Sequence, residues 1–515
     1  MMVVASASKR AHRATRGWVL SLGESKNAGR DRGQRGRCLA PLAALLLAGL
    51  GGSGSGAGMP TIALSPCKIP GLDREASCGT LAVPERGELP GGRTIPLNVV
   101  VIPSLTRPRA LSEPIFSIAG GPGQAATDSA ARIVPTYGDA LRDRDLVLVD
   151  QRGTGKSNPL VCWPYPESDI RRFLSPPAPL EEIRRCRQTL EQHADLTAYS
   201  TPLAAEDLEA VRGALGYERV NLEGGSYGTR VALEYMKRHG DRVRAAVLSA
   251  VSPAGFRNPL PFARAGQAAL DHLLAACAAD ARCQRAFPEA AKDFSTVLAR
   301  LERGPVTVSV TNPVTGRREE ALLGRDLFAT RIHLLLLSSS LAARIPFLVH
   351  RAAAGDFEPF AELAAEFGRA IVEQIDYGMQ LSVLCTEDVA LIKPQDVDPE
   401  TKGTFLGGAR VRHMIEVCKE WPQGRLPKDF LAPVQSMTPT LLISGALDPA
   451  TPPRFGDEVA RHLGRGRHVV IPEGSHVDGG TCIDGLVQQF LKAGSAESLD
   501  ISCVEGIHRP PFFTG

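Results

Sequence analysis

The sequence has no closely spaced cysteine pair of the C-x-x-C kind, so the ligand spacing of a structural zinc site is missing and no metal is expected. It has no long basic stripe either, which removes the electrostatic footprint of a nucleic-acid binder. The glycine-rich run Asp150-Gln-Arg-Gly-Thr-Gly155 lacks the spacing and the Lys-Ser/Thr ending of a phosphate-binding loop, and is read as structural. No internal repeat is present, and the 51 glycines and 39 prolines scatter through turn positions without a collagen-like or linker-like period. No cofactor is expected. What remains is a chain of 515 residues with 43% hydrophobic content, enough for one large core or a core with a sizeable insertion.

The formal charge of +3 is misleading, because nine basic and two acidic residues lie in the first 37 positions. Without them the chain holds 50 basic and 54 acidic residues, a net of −4. The basic stretch 30–37, the apolar run 38–50 and the small residues 51–58 have the n, h and c regions of a signal peptide, with a cleavage site at 55–57. The apolar run falls short of the ~20 residues needed to cross a bilayer, although the adjoining glycines extend it, so an uncleaved leader would be the route to membrane or envelope association. The expected location is secreted, periplasmic or cell envelope.

Of the eleven cysteines, Cys38 falls in that leader, which leaves ten: Cys67, Cys78, Cys162, Cys186, Cys277, Cys283, Cys385, Cys418, Cys482 and Cys503. An even set behind an export signal predicts five disulfides. Sequence alone leaves the connectivity open, with neighbours paired in chain order as one option. No cysteine follows the apolar run, as a lipoprotein anchor would need.

After the leader, β-branched runs alternate with helical patterns, the signature of a mostly parallel sheet covered by helices. Strands are predicted at 94–102, 114–118, 146–150, 220–223, 243–250, 440–444 and 468–471. Between 253 and 399 the strand signal fades and Ala and Leu recur at helical spacing, which predicts a helical lid inserted into the core. The resulting division is a leader at 1–58, the first half of the core at 59–254, a helical lid at 255–400 and the second half of the core at 401–515.

Arg219-Val-Asn-Leu-Glu-Gly-Gly-Ser-Tyr-Gly228 places a G-x-S-x-G motif between an apolar strand and a helical pattern. A random chain of this length and composition would show the bare motif about 0.3 times, so the flanking strand and helix carry the weight. A serine hydroxyl needs a base within hydrogen-bond reach and a third group to orient that base. In this fold those partners follow in the order acid, then histidine. Thr440-Leu-Leu-Ile-Ser-Gly-Ala-Leu-Asp448 and His468-Val-Val-Ile-Pro-Glu-Gly-Ser-His476 are strands ending in a loop aspartate and a loop histidine. The candidate triad is therefore Ser226, Asp448 and His476; Asp457, Asp478 and His468 compete but do not sit just past a strand in the required order. Ser117-Ile-Ala-Gly-Gly-Pro-Gly123 follows another core strand, and the N–H groups of Gly121 and Tyr227 are the expected oxyanion donors. The fold class is α/β, an α/β-hydrolase fold with an inserted lid.

With these motifs in place the chain resembles the α/β-hydrolase peptidases that include proline iminopeptidase and the bacterial tripeptidyl aminopeptidases, and is closer to the second branch. The residues that carry the likeness are Ala119-Gly-Gly-Pro-Gly123, Asp150-Gln-Arg-Gly-Thr-Gly155, Gly224-Gly-Ser-Tyr-Gly-Thr229, Cys385 with its following acids, and the segment bearing Asp448, His476 and Cys482. The resemblance implies an acyl-enzyme on Ser226 and hydrolysis of short peptides near a free N-terminus. It also implies lid carboxylates that hold the substrate's α-ammonium, for which Glu387 and Asp388 are the candidates. Proline iminopeptidases carry His before GGPG where this chain has Ala119, so strict N-terminal proline specificity is not implied. The expected partner is a peptide substrate, with a carboxylesterase or lipase using the same triad as the alternative activity and a non-catalytic envelope binding protein as the more distant one. Oligomeric state is left open.

Overall fold

Continuous apolar runs make the centre of the sheet, and alternating ones its edge. In a computed structural model, which describes residues 61–86, 92–106, 113–174 and 177–515, the strands are β1 (Ser65–Cys67), β2 (Ala76–Pro84), β3 (Thr94–Ile102), β4 (Ile115–Ile118), β5 (Leu146–Val149), β6 (Val220–Gly225), β7 (Val243–Ser249), β8 (Val306–Thr311), β9 (Arg318–Leu323), β10 (Thr440–Gly445) and β11 (Gly466–Ile471). Nine of them form one sheet in the order β1-β2-β3-β5-β4-β6-β7-β10-β11. The pairs β1·β2, β2·β3 and β3·β5 are antiparallel; every later pair is parallel. Every residue of β4, β5 and β10 is buried, as expected of strands covered on both faces. The end of β2 and the start of β3 alternate between buried and exposed, the pattern of a strand with one solvated face.

The loops after β4, β5, β6, β10 and β11 leave the same edge of the sheet, its C-terminal edge, where open α/β sheets bind ligands. The predicted leader lies outside the described residues. All seven predicted strands are present to within two residues, and β1 and β2 extend the sheet beyond them.

Two expectations about the lid need correction. It is not wholly helical: β8 and β9 pair as an antiparallel hairpin closed around Asn312. Val306-Thr-Val-Ser-Val-Thr311 alternates with period two, and Val308 and Val310 are buried while their neighbours are less so. Its limits also differ from 255–400. The apolar cluster of the lid, with Phe294, Phe328 and Phe360 at its centre, recruits Phe173 from before the nucleophile and Phe512 from the C-terminus. Met379, Val383, Cys385 and Val397 pack instead into the cluster on the central sheet.

Five disulfides join Cys67–Cys78, Cys162–Cys186, Cys277–Cys283, Cys385–Cys418 and Cys482–Cys503, each cysteine with its neighbour in the chain. Among the described residues, no helix is long and apolar enough to cross a membrane. Each bridge restricts the unfolded chain and is worth about 2 to 4 kcal/mol. Reduction is therefore expected to lower the thermal unfolding midpoint, and an unchanged melting curve after verified thiol release would argue that the bridges carry no stability.

Candidate active site

Strand β6 turns into the helix Tyr227–His239 through one residue, Ser226, whose backbone lies at φ 55°, ψ −124°. A non-glycine residue is rarely held there, and the surroundings over-determine it. Ser226 N–H donates to Ser249 O at 2.9 Å, and Ser226 O accepts from the backbone N–H and hydroxyl of Thr229 at 2.9 and 2.6 Å. Gly228 allows the helix to approach β4, since a Cβ at that position would stand 2.4 Å from Ile118 O. The turn places the serine at the N-terminus of the helix, where free N–H groups and the helix dipole favour developing negative charge.

The second half of the site comes from β10 and β11. A Cβ on Gly445 would stand 2.1 Å from Ser475 O, so the absence of a side chain there lets the loops after the two strands close on each other. Leu447 N–H donates to Gly474 O at 2.9 Å and holds them. As a result His476 Nδ1 donates to Asp448 Oδ2 at 2.7 Å. The side chain of Asp448 is fully buried, and it also accepts from Ala450 N–H at 2.8 Å, Thr451 N–H at 2.9 Å and the Thr451 hydroxyl at 2.8 Å. Burial opposes the charge of Asp448, but the imidazole and these donors outweigh it and hold the carboxyl below its usual range. Burial likewise opposes an imidazolium at His476, yet the charge and hydrogen bond of Asp448 raise that group above the ordinary 6.5.

Ser226, Tyr227, His476 and Gly121 line one cavity of about 540 Å³ roofed by the lid, within the range of small-ligand sites. The loop 119–123 crosses it, held by Gln151 Nε2 donating to Ala119 O at 2.9 Å. The Asp150 loop is a brace, as expected: Arg152 is buried against Asp207 with two bonds of 2.7 Å, and Asp150 accepts from Asn98 and Thr127. The competing residues lie outside the cavity. His468 bonds Asp457 and Ser444, while Asp478 holds Ser475 N–H and the hydroxyl of Ser339 on the lid.

A sequence family described as TAP-like protein matches residues 404–503, and one described as alpha/beta hydrolase fold matches residues 113–284. Serine protease Hip1 of Mycobacterium tuberculosis is 26% identical over 486 residues, which cover 85% of this chain and 88% of that protein. Tripeptidyl aminopeptidase of Streptomyces lividans is 30% identical over 195 residues, 35% of this chain and 36% of that one. Carboxylesterase B of M. tuberculosis is 27% identical over 518 residues, 90% and 95% of the two chains. This chain is an α/β hydrolase with a TAP-like C-terminal segment.

The two candidate ammonium anchors of this TAP-like hydrolase have partners within the protein, and Asp388 also lines the cavity. Glu387 and Asp388 are not open carboxylates waiting for an ammonium group; they are 0% and 1% exposed and already hold a cation of the protein. Arg230 donates to Glu387 Oε2 at 3.1 Å and to both oxygens of Asp388 at 2.9 and 3.0 Å. Glu387 also accepts from Thr201 N–H at 2.6 Å and the Thr201 hydroxyl at 2.7 Å, and that hydroxyl bonds the Tyr227 hydroxyl at 2.9 Å. This is an internal ion cluster under the nucleophile helix. Arg230 and Thr201 escaped the sequence reading because partners so far apart in the chain leave no spacing signal. Thr451 was more accessible, since an aspartate followed three residues later by a threonine is a common turn-capping pattern. Glu223, beside the nucleophile, accepts from the hydroxyls of Ser117 at 2.6 Å and Tyr137 at 2.8 Å.

Removing Glu387 leaves Arg230 paired with Asp388 but takes the acceptor from the buried N–H and hydroxyl of Thr201, at a cost of about 1 to 3 kcal/mol. Glu387→Ala is therefore expected to lower the unfolding free energy by about that amount in denaturant titration. It should not selectively impair substrates with a free amine; a selective loss with stability unchanged would restore Glu387 as an ammonium anchor. The raised His476 gives a second prediction. The imidazole must be neutral to accept a proton, so kcat/KM is expected to rise with pH through an apparent pKa above 6.5. In Asp448→Asn that rise should move to lower pH while kcat falls by about 10³- to 10⁴-fold.

Proposed function

We propose that the protein is an exported serine aminopeptidase that removes short peptides from a free N-terminus through an acyl-enzyme on Ser226. The observation that carries this reading is the shared cavity. A serine held at a strained strand-to-helix turn and a histidine bonded to a buried aspartate line one cavity. His476 takes the proton of the Ser226 hydroxyl as the hydroxyl attacks the scissile carbonyl, and Asp448 stabilises the resulting imidazolium. The N–H groups of Gly121 and Tyr227 receive the oxyanion. His476 then protonates the leaving amine, and water, activated by the same imidazole, releases the acyl group.

The roofed cavity favours short chain ends over folded proteins, and the names of the tripeptidyl aminopeptidase and protease relatives favour amide bonds. Five disulfides favour an oxidising compartment outside the cytoplasm, either secreted, periplasmic or in the cell envelope. Ester hydrolysis is the second reading, supported by the carboxylesterase relative that spans most of the chain.

The test is a matched panel of free and N-blocked tripeptidyl amides, a prolyl amide, and short- and long-chain esters, assayed with the protein and with Ser226→Ala. Cleavage that depends on Ser226 and is strongest on free-amine tripeptides is expected. Indifference to N-blocking with esters preferred would move the protein to the esterases, and full activity in Ser226→Ala would remove the nucleophile assignment.

A further inference from the structure

On the lid side of the cavity two guanidinium groups have no carboxylate partner among the described residues. Arg331, on the lid helix Arg325–Leu336, is 1% exposed. Its Nε donates to Leu174 O at 3.0 Å and its Nη2 to Phe173 O, but Nη1 is buried with no hydrogen-bond partner. Arg410, on the helix Ala409–Lys419, likewise has a buried Nη1 with no partner, and its guanidinium lies over the Phe262 ring at 5.2 Å. Both residues line the cavity that holds Ser226 and His476.

Other charged side chains on the cavity wall have neighbours of opposite sign, Arg172 with Glu167 among them. Arg230 is held by Glu387 and Asp388, Arg132 interacts with Glu223, and Asp326 bonds Arg325 at 3.0 Å. Burial, reinforced by repulsion from Arg410, pushes Arg331 down to about 9. Burial pushes Arg410 down to about 10. A desolvated cation with an unused donor is unfavourable until an anion meets it, and the planar fork of arginine matches a carboxylate. The pair also lies close to the catalytic loop. Phe262, under Arg410, stacks on His333 at 5.0 Å, and His333 Nε2 donates to Pro449 O at 3.1 Å, one residue beyond Asp448.

We propose that Arg331 and Arg410 form a carboxylate-binding subsite that selects short peptides by an acidic group reaching the lid side of the cavity. The proposal rests on the peptidase reading above and adds a substrate class to it. The carboxylate is either the C-terminus of a short peptide or an acidic side chain, and one experiment separates the two.

Binding is measured calorimetrically on the Ser226→Ala protein, so that no turnover is needed, with two matched pairs. The first is Ala-Ala-Ala-Ala as free acid and as amide; the second is Ala-Ala-Glu amide and Ala-Ala-Gln amide. In at least one pair the carboxylate member is expected to bind about tenfold tighter or more, because its neutral counterpart leaves the guanidinium groups unpaired. Discrimination in the first pair assigns the C-terminus, and in the second the side chain. Adding Arg410→Gln should bring the members of the pair to within about twofold, whereas Arg410→Lys should retain part of the preference. Equal affinity within both pairs, or a preference that survives Arg410→Gln in a protein with an unchanged melting curve, overturns the subsite. Turnover of a free-amine tripeptidyl anilide that carries no carboxylate, by the unmodified protein, reports separately on the peptidase reading. If it is not cleaved while the pairs still discriminate, that reading fails and the carboxylate site stands.

Discussion

The backbone turn at Ser226 is the constraint on which the rest of the structure depends. A strand that reverses into a helix through one residue at φ 55° leaves no room for ordinary side chains around it. Gly228 must lie against the carbonyl of Ile118, which fixes the helix Tyr227–His239 against β4. Because β4 is pinned there, the glycine-rich loop that follows it has to cross the mouth of the turn. The hydrogen bond from Gln151 then ties the next loop to the same place. Strain at one residue thus sets the relative positions of three loops, and the buried sheet beneath them supplies the stability that holds it.

The histidine side of the cavity obeys a parallel logic with different means. No single residue is strained into place between β10 and Asp448; instead the close approach at Gly445 lets two loops share hydrogen bonds and brings the acid and the imidazole together. The loop also touches the lid. Ser475 donates to Leu336 O, and Asp478 accepts from Ser339, so the histidine loop is anchored to the roof as well as to the sheet. A movement of the lid would act on His476 through these contacts before it acted on Ser226, which is held from below.

How much of this was legible in the sequence follows from the range of the interactions involved. Strands β4, β5 and β10 were readable because burial on both faces demands an unbroken apolar run, and the triad because each member sits just past such a run. The β8–β9 hairpin was also encoded, in the alternation of Val306, Val308 and Val310, but short alternating stretches inside a long Ala- and Leu-rich region are outweighed by the helical signal around them. Glu387 and Asp388 show the limit most clearly. Two adjacent acids near a predicted lid look the same in sequence whether they face a substrate or an arginine. The difference is made by Arg230, which lies more than 150 residues away in the chain. The same holds for Arg331 and Arg410, whose lack of a carboxylate partner among the described residues is a fact of three dimensions only.

That ion cluster changes what the floor of the cavity can do. Arg230 faces two carboxylates there, Glu387 and Asp388, so the floor beneath the nucleophile presents no unpaired cation and both acids are already engaged by the guanidinium. The uncompensated charge is on the roof and is positive. An α-ammonium would be repelled from Arg331 and Arg410 while a carboxylate would be drawn to them, and beside a buried guanidinium such as Arg331 both effects are stronger than in water. A short peptide bearing both groups would therefore be oriented by the roof before the nucleophile acts on it. Residue counting then needs no ammonium clamp at Glu387. Length selection can instead arise at the acidic end, from the separation between a roof that holds a carboxylate and a serine fixed at its turn.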